Sequence, residues 1–160
     1  MTRIGITGHV RFGERTAELV EKALRETLKK WAGKEMTGVS CLAPGSDQIF
    51  AKVILELGGR IEVVLPARDY REVGIPARNL REFDRLMAAA DSLRVADPGK
   101  SGPDTYLAAS KEVIAGSDLL LAVWDGTPDR SPGGTGDAVA HAHSEGVRVE
   151  VVWPAGAVHD

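Results

Sequence analysis

The sequence predicts an α/β protein with a Rossmann-like, doubly wound, mostly parallel sheet of about five strands and helices on both faces. Three observations carry this. Short apolar runs alternate with segments of helical period along the whole chain. The helical segments are about ten residues or longer, the length that right-handed crossovers between parallel strands require. One run, Leu119-Leu120-Leu121-Ala122-Val123-Trp124, is continuously apolar, as a strand covered on both faces must be.

The elements follow in order. Ile4-Gly5-Ile6-Thr7-Gly8 reads as the first strand, and residues 14–31 set Ala17, Val20, Leu24, Leu28 and Trp31 on one helical face, with Gly33 as the stop. Residues 36–42 form a second strand, and Ala43-Pro44-Gly45-Ser46-Asp47 turns into a helix that buries Ile49, Phe50, Val53 and Leu57 and stops at Gly58-Gly59. Residues 61–65 are a third strand, closed by Pro66. Pro76 opens a helix whose apolar side is Leu80, Phe83, Met87 and Ala90. Residues 93–96 read either as a short strand or as extended chain, and 97–103 as a loop. A further helix spans 104–114, with Asp104 as its N-cap and Gly116 at its end. After the apolar strand, a Gly-rich loop leads to a helix over 137–145 and a last strand over 147–153, and residues 154–160 read as a frayed end. Trp31 and Trp153 are expected in the core. Neither a repeat nor a dividing linker is present, so residues 1–160 are expected to form one domain.

Composition narrows the class. The chain has 160 residues, 43% hydrophobic and 27% charged, which is globular and large enough to bury an ordinary core. A net charge of −3 and a pI of about 5.8 give no global basic field, so nucleic acid is expected to be an unlikely partner. Cys41 stands alone, which leaves no intrachain disulfide and no cysteine cluster for zinc. The opening residues lack the layout of a signal peptide, and no apolar run approaches the roughly 18 residues of a spanning helix. A cytoplasmic protein without membrane association is the expectation.

The 18 glycines and 8 prolines cluster just after the first, second and last-but-one strands. In a doubly wound sheet these positions share one rim, where ligands bind. The first rim loop offers Thr7, Gly8, His9 and Arg11: a hydroxyl, a glycine for close backbone approach, and a guanidinium fork for phosphate. It is also the plain turn that any such fold needs. The second offers Gly45, Ser46 and Asp47 at a helix start. Free amides there suit an anion, but Ser46 or Asp47 can cap the helix instead, and the Asp47 carboxylate can alternatively bind ribose hydroxyls. The third begins at Asp125 and Gly126 and continues through Pro132-Gly133-Gly134-Thr135-Gly136-Asp137. Its three glycines in four residues form a candidate cradle of N–H groups for phosphate. It is neither a Walker loop nor the spaced GxGxxG fingerprint. A surface loop or a cap by Asp137 is the bland alternative. His141 and His143, two apart on a helix, point to different faces, so no metal is expected. No cofactor is expected either. Tyr106, Arg78 and Arg81 are further candidates for the rim.

At these loops the chain resembles the SLOG superfamily, Rossmann-like domains that include the Lonely Guy phosphoribohydrolases and the DNA-processing protein A domain. The resemblance spans residues 3–154, with little contributed by 67–116. Leu42-Ala43-Pro44-Gly45-Ser46-Asp47, then Gly58-Gly59 and the strand at 61–65, is similar to the Leu-Ala-x-Gly-x-Asp…Gly-Gly pattern of the DNA-processing members. Pro132-Gly133-Gly134-Thr135-Gly136 is similar to the Pro-Gly-Gly-x-Gly-Thr-x-x-Glu signature of the phosphoribohydrolases. The segment from Ser117-Asp118 to Trp124-Asp125-Gly126 is similar to nucleoside deoxyribosyltransferases.

The resemblance implies a nucleotide-type small molecule as ligand and, by analogy, a homo-oligomer. The departures bear on activity. Asp137 and Ala140 stand where the phosphoribohydrolase signature has Thr and Glu. That Glu serves N-glycosidic cleavage by stabilising positive charge on the ribose, which alanine cannot do. The His that the DNA-processing members often carry after their Asp is missing too. Two readings therefore stand: a sensor-like domain that binds a nucleotide or nucleotide derivative without turnover, which the missing Glu favours, or an N-glycosidic hydrolase or transferase with Asp137, Asp125 or Asp47 as its carboxylate.

Overall fold

The glycines of the first two strands show how closely the layers pack. A Cβ on Gly5 would come within 2.9 Å of Val113 on one side of the sheet, and a Cβ on Gly38 within 2.8 Å of Phe50 on the other. The structure, a computed structural model, describes residues 1–96, 99–128 and 134–160. Its elements in chain order are β1 (Thr2–Gly8), α1 (Glu14–Leu28), β2 (Met36–Ser40), α2 (Ser46–Glu56), β3 (Arg60–Leu65), α3 (Tyr70–Val73), α4 (Leu80–Ala89), β4 (Ser92–Val95), α5 (Pro103–Ala115), β5 (Leu119–Val123), α6 (Thr135–Ser144) and β6 (Arg148–Val151).

The six strands form one sheet in the order β4-β3-β2-β1-β5-β6, and every neighbouring pair is parallel. Strand period two sends Ile61, Val63 and Leu65 toward α1, α2 and α4, where Val20, Leu24, Phe50, Ile54, Phe83 and Leu86 close the larger core. Val39, Val64 and Leu120 face the opposite way and meet Ala109, Val113 and Ile114 of α5 and Ala138 and Ala142 of α6. Each large buried side chain contributes about 1.5–3 kcal/mol, so both layers hold the sheet. The strand order reverses between β1 and β5, because the chain leaves β1 on the α1 face and leaves β5 on the α6 face.

The fold class agrees with the sequence, and the differences are local. The sixth strand is β4, which the sequence leaves between strand and extended chain. It is an edge strand with Leu93 52% and Val95 38% exposed, so burial gives it no apolar signature. The turn of helix at α3 has no signal in the sequence. The helix expected from Asp104 begins at Pro103. Gly102 precedes it and donates its N–H to the Thr105 hydroxyl at 2.9 Å, so Asp104 is not the cap. The last helix begins at Thr135, two residues earlier than expected.

Residues 154–160 are not frayed. Val158 N–H donates to Thr16 Oγ1 at 2.9 Å and ties this segment to the first turn of α1. Among the described residues no helix is long and apolar enough to cross a membrane.

Candidate functional site

Where β1 and β5 part company, the loops beyond their carboxyl ends separate and leave a crevice of about 1260 Å³. Thr7, Gly8, His9 and Arg11 line it from the end of β1, Asp47 from α2, Asp125 and Thr127 from the segment after β5, and Gly134 and Thr135 from the start of α6. Arg78 and Tyr106, candidates from the sequence, line it as well, whereas Arg81 does not. Sequence reasoning missed Cys41, Tyr70, His159 and Asp160, all on the wall.

The wall at α2 is locked. Gly45 has φ +75°, and a Cβ there would lie 2.9 Å from the Val10 carbonyl oxygen and 3.0 Å from that of His9. Only glycine lets these two rim loops touch. Ser46 is fully buried, and both its hydroxyl (2.7 Å) and its N–H (3.2 Å) donate to the His9 carbonyl. Gln48 N–H donates to the Ala43 carbonyl at 3.2 Å. Two of the first amides of α2 are thus held by protein carbonyls, which argues against an anion at this helix start. The capping alternative fares no better, because Gly45 is the N-cap residue and no side chain caps the helix. Gly8 also has an internal reason: a Cβ there would stand 2.7 Å from Ser46 and 2.8 Å from Val123.

Asp47 turns back toward the end of β2. Its Oδ2 accepts from Ser40 Oγ at 3.3 Å and from Cys41 N–H at 3.2 Å. Burial pushes its carboxyl up to about 7, against hydrogen bonds from the Ala43 amide, Ser40 and the Cys41 amide. Desolvation, helped by Asp47, holds the neighbouring Cys41 thiol well above its ordinary value, so it is not a thiolate at neutral pH.

The wall at β5 is built differently. Asp125 Oδ1 accepts from the Thr127 hydroxyl at 2.6 Å and the Thr127 amide at 3.0 Å. The Asp125 N–H donates to His9 Nε2 at 3.1 Å, and Oδ1 lies equally close to that nitrogen. Partial burial opposes ionisation of Asp125, but the hydrogen bonds from Thr127, with His9 close by, outweigh it and hold the carboxyl well below the usual range. His9 is 7% exposed. Its ring lies flat on that of His159, centroids 3.5 Å apart and planes 11° apart, and the half-buried Trp153 meets it edge-on at 5.4 Å. His159 Nδ1 sits 3.4 Å from Asp125 Oδ2.

His9, Asp125 and His159 bring three potential ligand atoms within 4.8 Å of one another. Parallel stacked imidazoles direct their in-plane lone pairs side by side and not toward one point, so the arrangement is a stack and does not fit a metal ion. His141 and His143 lie on α6, and neither lines the crevice.

The third rim loop reaches the crevice through Gly134 and Thr135, the latter 8% exposed. Gly133 lies outside the described residues. Gly136 and Asp137 occupy the first turn of α6 but do not line the crevice, and Asp137 is exposed. Gly126, at φ +87°, has open space around it and is not part of the wall.

No family model matches the chain, and no curated protein matches it in sequence. Solved structures share its fold. DNA processing protein A from Streptococcus pneumoniae is similar with a TM-score of 0.70 at 20% identity, over 94% of this chain and 50% of that one. DNA processing protein A from Helicobacter pylori, solved for its single-stranded DNA binding mode, gives 0.67 at 19% identity, over 94% and 64%. The molybdenum cofactor binding protein from the phototrophic bacterium Rippkaea orientalis gives 0.59 at 16% identity, over 94% and 75%. At these identities the likeness is one of fold, and the chain spans only 50% and 64% of the two DNA processing proteins. The Rossmann-like fold expected from the sequence is therefore the fold of the chain, and these proteins share it. One expectation is corrected: net charge points away from nucleic acid as a partner, yet this fold occurs in a protein that binds single-stranded DNA. Net charge averages over the whole surface, whereas binding depends on the local groove.

Proposed function

We propose that the chain binds a phosphate-bearing nucleotide or nucleotide derivative in the crevice between β1 and β5. The observation that carries this reading is that α6 begins in the crevice wall. Gly134 and Thr135 line the space where strand order reverses, so the positive end of a ten-residue helix borders it. Arg11 and Arg78, exposed on the same rim, supply guanidinium groups for a phosphate.

One feature supports a second reading, single-stranded nucleic acid. The crevice adjoins a cleft of about 490 Å³ that shares Arg11 and Arg78 with it and adds Lys52, room for further units of a strand. Glu21, Glu82 and Asp160 line that cleft too and oppose a polyanion, so the single nucleotide stands first.

A thermal-shift series with nucleoside monophosphates and a short oligothymidylate separates the two. A ligand at a hundredfold over its Kd adds about 2.7 kcal/mol of stability, and oligonucleotide binding alone weakens steeply with salt. Gly134→Val is expected to abolish the nucleotide shift while lowering the unliganded protein's stability by only about 1 kcal/mol. A full shift in that variant would remove the start of α6 from the site. Sustained release of free base, lost in Asp125→Asn, would establish turnover in place of binding alone.

A further inference from the structure

We infer that His159 occupies the position of a ligand's heterocycle, so that residues 154–160 act as a tethered occupant which a nucleotide must displace. This rests on the nucleotide reading above and deepens it by naming where the base sits.

The contacts made by His159 are those by which a protein holds a nucleobase. A flat nitrogen heterocycle lies parallel to the His9 ring at 3.5 Å, with one ring nitrogen turned to a carboxylate oxygen at 3.4 Å. His9 is fixed as a platform: it is buried, Trp153 abuts it edge-on, and its carbonyl is held by Ser46. The two oxygens of Asp125 are unequal. Oδ1 is committed to the hydroxyl and amide of Thr127, whereas Oδ2 faces His159. An ionised carboxylate presenting one oxygen at the edge of a stacking platform selects a flat ring that carries an N–H donor, as the amino-bearing bases do.

The holding contacts of the segment are few. His159 and Val158 are exposed residues, and the backbone bond from Val158 to Thr16 anchors the segment beside the crevice while His159 reaches over it. A tethered group competes in proportion to the fraction of time it is docked, and the apparent Kd of a ligand rises by the reciprocal of the undocked fraction. Removing the imidazole lifts that competition and leaves the phosphate side of the crevice unaltered.

The experiment titrates the full chain and its His159→Ala variant with adenosine monophosphate, guanosine monophosphate and ribose 5-phosphate, the last bearing no base. The inference expects at least one of the two nucleotides to bind His159→Ala about tenfold more tightly, with ribose 5-phosphate changed less than twofold. Saturating nucleotide should also speed hydrogen exchange in residues 154–160 of the unaltered chain. Nucleotides that bind both proteins equally, or the variant more weakly, would overturn the inference and leave the nucleotide reading standing. Tightening of ribose 5-phosphate to the same degree would overturn it as well, since the segment would then cover the phosphate and not the base. If neither protein binds any of the three probes, the nucleotide reading fails and the inference falls with it.

Discussion

Asp47 and Asp125 line the same crevice and look alike in the sequence, each a carboxylate a few residues beyond a strand in a Gly-containing loop. Their environments part them. Asp47 is buried against the end of β2 and its carboxyl rises to about 7, whereas Asp125 lies under the hydroxyl and amide of Thr127 and beside His9, and stays ionised far into acid. The same contrast holds for the walls that carry them. At α2 the polar groups bond one another and the glycine exists to let two loops touch. At β5 a segment distant in sequence covers the platform with an exchangeable ring. An acid on the rim thus takes its character from the donors within reach, and a glycine there can serve packing as readily as a ligand.

The largest expected effect tests the locked wall. Gly45→Val combines a left-handed backbone with a Cβ against two carbonyl oxygens, and should cost about 4 kcal/mol or more in chemical denaturation, or prevent folding. A variant close to wild-type stability would show that the two rim loops are not locked.

Asp47→Asn follows, at about 2 kcal/mol and with the opposite sign. The native carboxyl titrates near 7 against 3.8 unperturbed, so between those values the folded protein holds more protons than the unfolded one. Stability from this group is present below about pH 4 and is lost as pH rises through 7. The displacement allows a ceiling of about 4 kcal/mol, of which solvent relaxation leaves about half. Asn keeps an acceptor for Ser40 and Cys41 and does not titrate. The variant should therefore gain on the wild type between pH 5 and pH 8, read as the difference in urea midpoint. A difference flat across that range would mean that Asp47 is not desolvated.

The sequence disclosed the layers of this fold because they rest on periodicity. Val20, Leu24 and Leu28 recur at the helical repeat, and β5 is apolar throughout because both its faces are covered. It disclosed the rim because parallel topology forces every strand-to-helix loop to one edge. It could not disclose which rim groups are already satisfied. Ser46 binding His9 across 37 positions, and His159 stacking on His9 across 150, depend on tertiary approach and leave no local pattern. The edge strand β4 was equivocal for the converse reason: a strand exposed along its length carries no burial pattern.

Gly126→Ala isolates backbone strain from crowding. Gly126 shares the left-handed φ of Gly45 but has open space around it, so the cost should be only about 1.5 kcal/mol. A loss equal to that of Gly45→Val would attribute the whole effect at Gly45 to backbone conformation and remove the loop contact from the account.

The smallest effect, about 1 kcal/mol, is expected from Asp125→Asn, because the amide oxygen still accepts from Thr127 and only the charge-assisted part of those bonds is lost. Its pH dependence matters more than its size. The folded carboxyl titrates below its unfolded value, so the unfolded chain binds more protons in acid, and the stability due to Asp125 is present above about pH 4 and lost as pH falls below it. The deficit of Asp125→Asn should then be constant from pH 8 to pH 5 and shrink toward pH 3, on the acid side of the range in which Asp47→Asn makes its gain. Two variants on one crevice, each with an effect that changes with pH in the range where the other's is constant, are what a dry carboxyl and a hydrogen-bonded carboxylate require. A deficit in Asp125→Asn that persists unchanged at pH 3 would mean that Thr127 and His9 do not hold the ionised form, and the contrast between the walls would lose its electrostatic basis.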